Sequence, residues 1–93
     1  MQFVWLNKQG VACDRGFVLQ SVDRFAFEYR EANRVARLKG EDFNRDGRYG
    51  FGFYDFPDFW EPPFDKIPIV EEDRIINNIK EAMAFMNILT KFE

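Results

Sequence analysis

Residues 24–39 read RFAFEYREANRVARLK. Phe25, Phe27 and Tyr29 alternate with Ala26, Glu28 and Arg30, which is the period of a strand with one buried face. A loop centred on Ala32-Asn33 returns the chain. With an even loop, Tyr29 faces Ala36, Phe27 faces Leu38, and Glu28 meets Arg37 on the opposite face. A three-residue loop sets Arg37 beside Phe27, and a one-residue slip sends every side chain to the wrong face. The even loop is therefore expected. Ala32 disfavours a positive φ, and this favours four loop residues over two.

Working outward, strand-like runs recur on both sides. Phe3–Leu6, Val11–Cys13 and Phe17–Gln20 are short and rich in β-formers, separated by Asn7-Lys8-Gln9-Gly10 and Asp14-Arg15-Gly16. Asn44-Arg45-Asp46-Gly47 is a strong turn signal. Beyond it, Tyr49, Phe51 and Phe53 alternate with Gly50 and Gly52. One face of that strand is aromatic, and the other is bare backbone against which something packs closely.

Residues 55–70, DFPDFWEPPFDKIPIV, hold all four prolines of the chain and read as an ordered loop. From Glu71 the period turns helical. Ile75, Ile76, Ile79, Met83 and Met86 form one stripe, and Glu71, Glu72 and Asp73 occupy the dipole-favoured first turn. Val70 stands where a capping Ser, Thr or Asp is usual. The expected fold is α+β in one domain over residues 1–93: an antiparallel meander sheet of about five strands packed on one C-terminal amphipathic helix. The strands lie within 2–54, the loop spans 55–70 and the helix about 71–87. Residues 88–92 are available as an edge strand. The aromatic rows of Phe25, Phe27, Tyr29 and of Tyr49, Phe51, Phe53 then form the inner face that the helix covers, in preference to a nucleic-acid stacking platform.

Composition narrows the chemistry. The 93 residues contain no histidine and one cysteine. The commonest general base and metal ligand is therefore missing. Cys13 has no internal disulfide partner and no base to activate it, so it reads as a buried apolar residue in a reducing compartment. No long apolar run and no secretory leader are visible, and a cytoplasmic location is expected. The net charge of −3 and pI of about 5.0 argue against a dedicated nucleic-acid binder. Asp42-Phe43-Asn44-Arg45-Asp46-Gly47 matches the opening of a calcium loop. The closing Glu is replaced by Phe53, however, and Arg45 and Arg48 bring positive charge, so a hairpin tip is the better reading. Close carboxylate pairs are inevitable among 16 acids. No catalytic, cofactor or metal residue is assigned, and no enzymatic activity is expected.

Charge is unevenly spread. Residues 1–54 carry nine Lys or Arg against seven acids, and residues 55–93 carry four against nine. The stretch DFPDFWEPPFD, residues 55–65, combines four acids, four aromatics and three prolines with no basic residue. Carboxylates give steering, rings give contact area, and prolines reduce the ordering cost of binding. Asp55, Asp58, Phe59, Trp60, Glu61, Phe64 and Asp65 are the candidate partner-binding residues. A second reading stays open beside this one: Trp60 and one or two Phe plug the core while the acids solvate the loop.

The order of features has a parallel. Gly16-Phe17-Val18-Leu19, the hairpin Phe27-Glu28-Tyr29-Arg30-Glu31-Ala32-Asn33-Arg34, Trp60-Glu61-Pro62-Pro63, and the helix Glu71-Glu72-Asp73-Arg74-Ile75-Ile76-Asn77-Asn78-Ile79 follow one another. Over about residues 16–87 this resembles a family of small bacterial immunity proteins encoded beside polymorphic toxins. The resemblance implies a non-enzymatic inhibitor that binds one cognate toxin, and the acidic loop points to a basic surface on that toxin. It implies no cofactor, nucleic-acid or membrane partner. The competing expectation is a small obligate subunit or homodimer, assembled through the loop or an edge strand, with the Gly50 and Gly52 face suited to such a contact.

Overall fold

The computed structural model describes residues 2–61 and 64–92. Its strands are β1 (Phe3–Asn7), β2 (Gly10–Cys13), β3 (Phe17–Asp23), β4 (Ala26–Glu31), β5 (Arg34–Arg45), β6 (Arg48–Phe53) and β7 (Leu89–Phe92), with helix α1 (Ile69–Phe85) before β7. The central hairpin pairs Phe27 with Leu38, Glu28 with Arg37 and Tyr29 with Ala36. Its loop is two residues long, because Glu31 and Arg34 also pair. The expected four-residue loop is thus corrected. Ala32 accepts φ 55°, at a cost of about 1–2 kcal/mol. In return the tight turn matches the twist of its strands, and Arg34 reaches Glu31 at 3.1 Å. The second hairpin closes on Asp46-Gly47, both at positive φ. The Gly47 N–H donates to Asn44 Oδ1 at 3.1 Å.

The sheet differs from the expected five-strand meander. It has seven strands in chain order and curls into a half-barrel. Two physical causes account for the difference. First, β5 is twelve residues long and serves two neighbours. Ala26–Glu31 pair with its first half, and its second half, from Gly40 on, pairs with β6. The change of partner falls at Gly40, where a Cβ would lie 2.0 Å from the Gly52 carbonyl oxygen. Only glycine lets the strand turn this corner. Second, β7 pairs with β6 in parallel. A parallel neighbour needs a crossover, which α1 supplies.

Inner-face positions follow from the register. Val11, Leu19, Tyr29 and Ala36 form one row across β2 to β5. All four are fully buried. Helix α1 lays Ile75, Ile79, Ala82 and Met83 on this face. Burying each large apolar side chain contributes about 1.5–3 kcal/mol. Two rings expected in this core lie outside it: Phe25 and Tyr49 are about half exposed. Phe25 sits in the β3–β4 turn, where its N–H donates to Asp23 Oδ1. Tyr49 stands at the open end of the half-barrel. The bare face of β6 is also occupied, since the Phe43 ring lies over Gly50, so that face offers no assembly surface at Gly50.

The helix starts and stops two residues before the expected bounds. Pro68 takes the N-cap place with φ −63° and ψ 145°, and its carbonyl accepts from Glu71 and Glu72 N–H. At the other end Asn87 adopts φ 60°. Asn87 N–H donates to Ala84 O and Ile88 N–H to Met83 O, the pattern that stops a helix with a left-handed residue. No helix among the described residues is long and apolar enough to cross a membrane.

Candidate functional site

Between β6 and α1 the loop folds back on itself. The Ile67 N–H donates to Asp58 O at 2.8 Å and the Trp60 N–H to Asp65 O at 2.9 Å, while Phe59 bridges Lys66. These bonds close a small arch. A further bond, Glu61 N–H to Val35 O, ties it to the β4–β5 hairpin. Pro62 and Pro63, part of the quoted Trp-Glu-Pro-Pro motif, lie outside the described residues.

The seven candidate residues divide by burial. Trp60 is fully buried. Its ring stacks on Tyr29, with centroids 6.3 Å apart, and the Arg34 guanidinium lies 4.5 Å from the ring centre. Trp60 is therefore an anchor, not a contact. Its indole N–H has no acceptor among the described residues, so the ring is held by its packing and by the Arg34 guanidinium over its face. Asp55, Asp58, Phe59, Glu61, Phe64 and Asp65 are all exposed. Phe64 is 70% exposed and held at φ 69°. A bulky residue rarely adopts that conformation, and such strain concentrates at functional loops. Phe59 and Phe64 line a shallow groove with Pro57, Asp58 and Glu61.

The ion pairs among the described residues lie elsewhere. Glu28 takes Arg30 and Arg37; Glu31 takes Arg34 and Arg74; Glu81 takes Arg15. Glu71 faces Arg34 and Arg74 at 3.9 and 3.8 Å. Among the described residues, none of Asp55, Asp58, Glu61 and Asp65 forms an ion pair. The pole of the molecule around the arch is thus anionic and studded with two exposed rings. The first turn of α1 follows the arch in the chain and adds Ile69 and Val70, both more than three-quarters exposed. The apolar pair escaped the sequence reading because it lies outside the helical stripe, and Phe64's strain has no signature in composition. No three Asp, Glu, Cys or His side chains gather to hold a metal among the described residues.

No family model matches the chain, and neither does any curated protein or solved structure.

Proposed function

We propose that this chain is a bacterial immunity protein, a non-enzymatic inhibitor that captures a basic toxin domain with its anionic, aromatic pole. One observation carries the reading: among the described residues none of the four loop carboxylates forms an ion pair, whereas Glu28, Glu31, Glu71 and Glu81 all do. Uncompensated charge of one sign speeds encounter with an oppositely charged protein and fixes its register. Phe59 and Phe64 supply apolar contact beside it, and the buried Trp60 makes the arch rigid before binding.

The reading requires a toxin domain encoded beside this gene, and the test is co-production of the chain with that domain. Wild type restores growth, and the Asp58→Lys/Glu61→Lys variant, folded by circular dichroism, does not. Equal protection by both contradicts the assignment of the loop, and no protection by either contradicts the immunity role.

A second reading, a homodimer, draws on β1. This edge strand exposes Val4, Trp5 and Leu6 consecutively and carries no charged side chain to block pairing. A solution mass that doubles with concentration and reverts in Val4→Lys supports it.

A further inference from the structure

At the pole opposite the arch, beyond the C-terminal end of α1, the half-barrel stays open. The register explains why. Along the inner face, Phe17 and Leu19 of β3 give way to Ser21, Leu38 of β5 to Asp42, and Phe51 of β6 to Tyr49. The helical stripe ends at Met83 and Met86, so no described residue of the helix covers these last positions. A cleft results, with two adjoining lobes of about 290 and 350 Å³ that share Gln9, Ser21, Phe27 and Tyr49. Phe27 and Phe51, both almost fully buried, lie at its base beside Met86, and Gln9 and Ser21 bring polar groups between them and the rim. Trp5 and Tyr49, both about half exposed, stand at its walls. Its rim holds Lys8 and Arg24 of one sign and Asp23 and Asp42 of the other. Neither Lys8 nor Asp42 makes an ion pair with a described residue. The mouth of a curled sheet, with exposed aromatic walls and a few uncommitted polar groups, is a usual place for a small-molecule site.

We propose that this mouth binds a small zwitterionic aromatic molecule of the class of a free aromatic amino acid. Each part of the class has its reason. Lobes at the low end of the about 300–1,000 Å³ typical of ligand pockets suit one ring system. Trp5 and Tyr49, both about half exposed, offer the ring faces against which one aromatic ring stacks. A rim with two cations and two anions cancels for a ligand of single sign, yet it complements one that carries both. Lys8 takes the carboxylate and Asp42 the ammonium group, and Trp5 and Tyr49 flank the ring. This site lies away from the arch and stands or falls independently of the immunity reading.

The test titrates the full-length ¹⁵N-labelled chain with L-phenylalanine. Saturable amide shifts confined to the region of Gln9, Ser21, Asp42 and Tyr49 are expected. Lys8→Ala and Asp42→Asn alter exposed side chains, and each weakens binding about tenfold or more, the loss of one charge-assisted hydrogen bond. Phenethylamine, lacking the carboxylate, is indifferent to Lys8→Ala. 3-Phenylpropionate, lacking the ammonium, is indifferent to Asp42→Asn. Absent or scattered shifts, equal binding of L-alanine, or full affinity in both variants overturns the proposal.

Discussion

Asn78 Nδ2 donates to Tyr29 Oη at 3.0 Å in the buried seam between α1 and the inner face of the sheet. Tyr29 passes the chain on, donating to Glu31 Oε1 at 2.8 Å. Arg74 grips both oxygens of that carboxylate, and Arg15 donates to Asn78 Oδ1 at 2.7 Å. Burial pushes the Tyr29 phenol well above its ordinary value, which keeps it a hydrogen-bond donor at any physiological pH. A fully paired polar line through an apolar seam fixes one helix position where packing alone permits slippage. Asn78 is the one buried polar residue among the core positions of α1.

This seam predicts coupled losses. Tyr29→Phe leaves the buried Asn78 amide short of an acceptor and costs about 1–3 kcal/mol. Asn78→Leu removes the other half and costs a similar amount. The double variant loses less than the sum, since two apolar groups no longer strand a polar partner. Urea unfolding measures all three, and strict additivity contradicts the account.

Glu31 predicts an acid-side dependence. The Arg74 guanidinium, and after it the Tyr29 hydroxyl, hold its carboxyl below the ordinary value of 4.5 against the opposing effect of burial. A lowered folded value means stability that is complete above the unfolded value and lost as pH falls through the folded one. The urea midpoints of wild type and Glu31→Gln therefore differ by a constant amount near neutrality and converge as pH drops below 4.5. A gap that does not change with pH contradicts this role.

Two glycines predict opposite severities. Gly40→Ala drives a Cβ to 2.0 Å from the Gly52 carbonyl, so β5 cannot bend. The variant loses at least about 3 kcal/mol or fails to fold. Gly47→Ala meets open space and bears only the positive φ of 80°, at about 1–2 kcal/mol. Thermal melts rank the two, and an equal or reversed ranking contradicts the corner assigned to Gly40.

Trp60→Ala empties the space between Tyr29 and Arg34 and costs about 3–5 kcal/mol. A near-wild-type melt in this variant contradicts its role as the anchor of the arch.

The central hairpin was legible because period-two alternation and the Glu28–Arg37 cross-strand pair agree on one register. The loop length was not, since the propensity of Ala32 yields to the tertiary pairing of Glu31 with Arg34. The curl was hidden for a related reason. Gly40 carries no turn signal in sequence, and its meaning depends on the Gly52 backbone, which is remote in the chain. Asn87 disguised the helix end by continuing the polar face. At the site, the exposure of Asp58 and Glu61 follows from residue type, whereas Trp60, named as a contact residue with a core role left open, is decided by its stacking on the remote Tyr29, and the pairing of Glu71 with Arg34 and Arg74 depends on how the helix sits on the hairpin.

The anionic pole is tested most directly by the rate at which the chain associates with the toxin domain proposed as its partner, measured by stopped flow across a salt series. Wild type is expected to associate fast at low salt and to slow steeply as salt screens the loop. Asp58→Lys/Glu61→Lys is expected to associate slowly with little salt dependence, at an unchanged melting temperature. Superimposable salt profiles for the two proteins contradict the claim that these carboxylates receive the partner.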